Sequence, residues 1–154
     1  MRLFITVLGC ALGTWMAYGT VLFGLGSQLN LWYTPIALVY IIAVLLLQRT
    51  LARGSRARRR AGRATWVCFA LACVSALAFG FTVPGMQSEQ LESITSVWFG
   101  EVWREMSIAL CNPFGVLALV FVWIAFGIAA VRCRENTPGA DDETAADTTH
   151  TPRE

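Results

Sequence analysis

PFGVLALVFVWIAFGIAAV, residues 113–131, is an uninterrupted run without a single ionisable side chain. A helix of that length rises about 1.5 Å per residue and covers the roughly 30 Å hydrocarbon core of a bilayer. Asn112 stands where an N-cap belongs, Pro113 takes the first helical position, and Arg132 and Arg134 close the run, which gives a span at 112–131. One such window would also fit a buried helix of a soluble protein. Three more leave no soluble domain in which to bury them.

Upstream, residues 65–83 (TWVCFALACVSALAFGFTV) form a second such run, with Trp66 at one edge and Pro84-Gly85 ending it. Residues 31–48 form a third, flanked by Trp32 and Tyr33 at the start and Gln48-Arg49 at the finish as interfacial anchors. Pro35 falls in its first turn or so, where a missing N–H matters little. Residues 3–25 form the fourth and predict a retained first span. Two other readings compete with it: a cleaved signal, from Arg2 and the small-x-small Ala17-Tyr18-Gly19, and a lipidation signal, from Val7-Leu8-Gly9-Cys10. The apolar stretch before Cys10 is too short for ordinary export.

Composition agrees with lipid as the solvent. Of 154 residues 56% are hydrophobic and the mean hydropathy is +0.56, which leaves too little polar surface to cover a soluble globule. The net charge of +2 says little, because the charges are grouped. All basic residues are Arg, and this Arg-only, Ala- and Gly-rich usage suggests a bacterial plasma membrane as the setting.

Residues 49–63, RTLARGSRARRRAGR, carry seven arginines (Arg49, Arg53, Arg56, Arg58, Arg59, Arg60 and Arg63) and no acid. Short positively charged loops are retained in the cytoplasm, so the block is a topology determinant and an attractor of anionic lipid. Nucleic-acid binding is not expected from it. With four crossings, Arg2, this loop and the Arg132/Arg134 pair fall on one side, while residues 84–111 hold Glu89, Glu92, Glu101 and Glu105 against Arg104. Both termini are therefore expected in the cytoplasm and the acidic segment outside. Residues 135–154, with Asp141-Asp142-Glu143, Pro138 and Pro152, read as a disordered acidic tail able to contact the arginine loop.

Between the third and fourth runs, a helical reading puts Leu91, Ile94, Trp98, Val102 and Met106 on one face, with Phe99 beside them. This predicts a short amphipathic outer helix that rests on the interface, serves as a linker, or binds a partner protein. Elsewhere, Gly9, Gly13 and Ala17, and Ala72, Ala76 and Gly80, recur at every fourth position and predict close helix packing. Trp15, Phe23, Phe121, Trp123 and Phe126 are expected on lipid- or partner-facing surface.

Chemistry is sparse. The runs carry no Asp, Glu, Arg or His between their ends, so a proton-driven carrier acting alone has no obvious relay. Glu101 and Glu105 lie one turn apart without a His or Cys beside them, and His150 lies in the tail. No catalytic residue, metal or cofactor is expected. Cys10, Cys68, Cys73, Cys111 and Cys133 all fall in or beside apolar runs and read as small hydrophobes. The expected function is a noncatalytic membrane subunit or assembly partner, acting in a membrane-protein complex or as a homo-oligomer. A small oligomeric transporter or channel is the alternative, and a membrane enzyme the third option.

Overall fold

A computed structural model of the chain describes residues 2–25, 29–56, 62–87, 90–100 and 102–134. Helix α1 runs Arg2–Tyr18 and tightens into a 3-10 turn at Gly19–Phe23; α2 is Leu29–Arg56 and α3 Arg63–Thr82. A small antiparallel hairpin follows, β1 (Gly85–Gln87) on β2 (Gln90–Glu92), then α4 (Ile94–Phe99) and α5 (Val102–Arg134). Stretches within α1 with its 3-10 turn, α2, α3 and α5 are each long and apolar enough to cross a membrane: Leu3–Phe23, Leu31–Gly54, Arg63–Thr82 and Val102–Arg132. The chain is an all-α polytopic membrane protein, with four such helices among the described residues.

The helices close a ring in the order α1, α2, α5, α3, each packed on its two neighbours. Lipid gives helices no hydrophobic reason to associate, so close backbone approach must hold the ring together. Small residues provide it. Gly9 meets the side chain of Val44 and Gly13 that of Ile41, which seats α1 on α2. On α3, Ala72 and Ala76 are buried, and Gly80 lies under the indole of Trp15 from α1. On α5, Gly115, Ala118, Val122, Ala125 and Ala129 are buried at alternating steps of three and four. Phe79 of α3 fills the space opposite Gly115, with Tyr33 of α2 edge-on to it at 5.7 Å.

The centre of the ring is not wholly apolar. Tyr40 is fully buried on α2 and reaches across to α3, where its hydroxyl donates to the Cys73 sulfur at 3.9 Å. Thr50 and Thr82 return their hydroxyls to carbonyls of their own preceding turns, at 2.9 Å to Leu46 and 3.1 Å to Ala78. Cys10, Cys68, Cys73 and Cys111 are free thiols.

Three boundaries differ from the sequence expectation. Helix α2 continues past Gln48 to Arg56, so Arg49 and Arg53 ride on helix rather than loop. Residues 102–111 belong to α5, which places Asn112 and Pro113 in a helix interior instead of at its start. Pro113 removes the bond to the carbonyl of Ala109, a loss that transmembrane helices tolerate. The segment after α3 opens as a hairpin, with Gly85 pressed on the carbonyl of Leu25 more closely than a side chain would permit. Arg58, Arg59, Arg60, Glu101 and the acidic tail lie outside the described residues.

Candidate interaction surface at the hairpin end

The elbow between α4 and α5 is built by Gly100, whose φ of 90° and ψ of −175° only glycine adopts readily. It ends α4 after six residues and turns the chain into α5. The helical face expected from Leu91 to Met106 is therefore cut in two. Leu91 falls on β2 rather than on a helix, and Ile94 of α4 is fully buried.

A chain of hydroxyls fixes α4 to α5. Ser93 is the N-cap of α4: its Oγ accepts from the Ser96 N–H at 3.2 Å, while its own N–H donates to Ser96 Oγ at 2.9 Å. Ser107 of α5 donates its proton to the Arg104 carbonyl at 2.9 Å. It therefore has none left for Ser93, 2.6 Å away, so Ser93 must donate to Ser107. The Ser93 oxygen is then free to accept from Thr95 at 2.9 Å. Every proton runs one way, from Thr95 through Ser93 and Ser107 to the Arg104 carbonyl. Both serines are buried, so the chain is shielded from competing water.

Four aromatic rings complete the anchorage. Trp15 of α1 contacts Phe81 of α3 at 5.1 Å, Phe81 contacts Trp98 of α4 at 6.1 Å, Trp98 contacts Phe23 at 5.8 Å, and Phe23 returns to Trp15 at 6.3 Å. Trp15 also donates its indole N–H to the Leu77 carbonyl at 3.1 Å. It is thus a packing residue between α1 and α3, not the outward-facing side chain expected from the sequence. Such ring pairs each add about 0.5–1.5 kcal/mol beyond the area they bury.

What this anchorage leaves uncovered is apolar. Trp98 is 59% exposed, Phe99 63%, Val102 79% and Met106 50%, with Trp103 stacked at a tilt on Phe99 at 5.5 Å. The expected partner-facing residues Trp98, Phe99, Val102 and Met106 thus share the elbow. The packing residues Gly9, Gly13, Ala17, Ala72, Ala76 and Gly80 lie inside the bundle, and Arg53, Arg56 and Arg63 belong to its opposite end.

No family model, curated protein or solved structure matches this chain.

Among the described residues no three His, Cys, Asp or Glu side chains gather to hold a metal ion. The Ser93–Ser107 pair ends on the Arg104 carbonyl, the arrangement of a latch. Ser93→Ala removes the cap and the latch together. Its expected effect is a loss of about 1–2 kcal/mol confined to α4. Faster amide exchange across residues 94–99, with α3 unchanged, is the measurement; unchanged exchange in α4 would refute the latch.

Proposed function

We propose that this chain is a noncatalytic integral-membrane subunit or assembly partner that docks another membrane protein on the α4–α5 elbow. One observation carries the reading: Trp98, Phe99, Val102, Trp103 and Met106 stand exposed on an element held by a buried hydroxyl latch and a glycine-only turn. A mere linker between two helices requires no such fixation. Aromatic, Met and Arg side chains are enriched in protein interfaces, and Arg104 lies among them.

The same reading places the protein in a bacterial plasma membrane with both termini in the cytoplasm. Arg49, Arg53, Arg63 and Arg132 share one end of the bundle, while Glu92, Arg104 and Glu105 share the other. Retention of arginine-rich ends in the cytoplasm supports this orientation and sets the elbow outside.

A photo-reactive amino acid installed at Phe99 or Trp103, in native membranes, tests the docking. A discrete protein adduct is expected from these positions and not from Val74 or Val116, which are exposed along the spans. An adduct of twice the chain mass would name a second copy as the partner. Lipid adducts alone from every position would refute the proposal.

A further inference from the structure

At the other end of the bundle, α3 begins without a cap. Gly62 precedes it in extended conformation (φ −66°, ψ 155°) and, as a glycine, has no side chain with which to cap the first turn. The Thr65 N–H returns to the Gly62 carbonyl at 3.1 Å, while the N–H groups of Arg63 and Ala64 have no preceding carbonyl within the helix. A helix start of this kind carries about half a positive charge.

Two further features are out of place unless an anion is present. Arg132, from the far end of α5, lays its guanidinium on Gly62, in the space that any side chain at residue 62 would fill. A cation there has the wrong sign for a helix N-terminus. The carboxylates among the described residues, Glu92 and Glu105, belong to the hairpin end. Thr65 is the second feature: it is only 1% exposed, and its hydroxyl has no hydrogen-bond partner. Thr65 is the third residue of α3, in the same turn as the N–H groups of Arg63 and Ala64, and Cα–Cβ bonds in a helix tilt toward its start.

We infer that the start of α3 binds the phosphate of an anionic lipid headgroup, held by the N–H groups of Arg63 and Ala64, the Arg132 guanidinium and the Thr65 hydroxyl. A phosphate oxyanion accepts from all of these donors and neutralises the juxtaposed positive charges. Depth selects the lipid over free phosphate. Arg63 opens one membrane span and Arg132 closes another, so the site lies at the level of the headgroups.

The test uses the full chain in phosphatidylcholine vesicles doped with phosphatidylglycerol, with retained lipid counted by native mass spectrometry. Arg132→Gln and Thr65→Val are each expected to lower phosphatidylglycerol retention roughly tenfold, the loss of one hydrogen bond to a charged group. Arg53→Gln removes the same charge from an exposed position on α2 and is expected to change retention by less than about twofold. Equal losses in R132Q and R53Q would reduce the effect to diffuse attraction and overturn the site. So would unchanged retention in T65V. Displacement of the lipid by inorganic phosphate in the millimolar range would reassign the site to the free ion. Unchanged retention in R132Q, with a cross-link from residue 132 to the acidic tail, would name the chain's own carboxylates as the occupant.

Discussion

Gly80→Leu is expected to leave little folded protein in detergent. The Trp15 indole rests on the Gly80 backbone, and a side chain at residue 80 would occupy the same space as its Nε1 edge. Expelling Trp15 breaks its bond to the Leu77 carbonyl and opens the four-ring cluster that joins α1, α3 and α4. Overpacking and the lost hydrogen bond together amount to about 2–4 kcal/mol, a large part of a typical folding stability. Titration with a denaturing detergent, followed by tryptophan fluorescence, measures it. Gly80→Ala and Gly127→Ala form the matched control pair, since a Cβ at residue 127 meets nothing within 4 Å whereas one at residue 80 meets the Trp15 indole. Comparable destabilisation by the two substitutions would show that Trp15 packing is not what holds α1 on α3.

Gly100→Ala is expected to act on the elbow alone. A φ of 90° with extended ψ puts the new Cβ in a region that L-residues avoid, at a cost of about 1–3 kcal/mol. The chain can relieve it only by changing the angle between α4 and α5, which strains the Ser93–Ser107 contact. Photo-adducts from Phe99 should then fall severalfold, while unfolding of the α1, α2, α3 and α5 ring stays within about 0.5 kcal/mol of the parent. Unaltered adduct yield would mean that elbow geometry does not govern docking. Gly24 offers a contrast: its φ of 77° and ψ of 6° lie in the left-handed region that asparagine tolerates, so Gly24→Asn should be mild.

The four spans were legible because hydrocarbon imposes one requirement, internal satisfaction of every backbone polar group, and long uncharged runs meet it as helices. The α1 and α3 small-residue stripes are legible for a related reason, since their members recur at a strict spacing of four. The α5 stripe from Gly115 to Ala129 was missed: its steps alternate between three and four, and Val122 interrupts the small residues. The elbow was hidden more deeply. Apolar residues from Leu91 to Met106 keep helical spacing straight through Gly100, and spacing alone does not reveal that a glycine has left the helical region. Asn112-Pro113 misled for the opposite reason, carrying the local chemistry of a helix start while neighbouring helices support an unbroken α5 around it. Long-range partnerships such as Trp15 with Leu77, or Tyr40 with Cys73, join residues whose proximity no local pattern records.

The unbroken course of α5 also relates the protein to the thickness of its membrane. From Arg104 to Arg132 the helix rises about 42 Å at 1.5 Å per residue, close to the roughly 40–45 Å of a bilayer measured across its polar layers. An upright α5 thus sets one arginine in each polar layer. In a thinner bilayer it must lean, and the rigidly joined elbow would lean with it, so lipid chain length becomes a means of tilting the surface offered at the hairpin end.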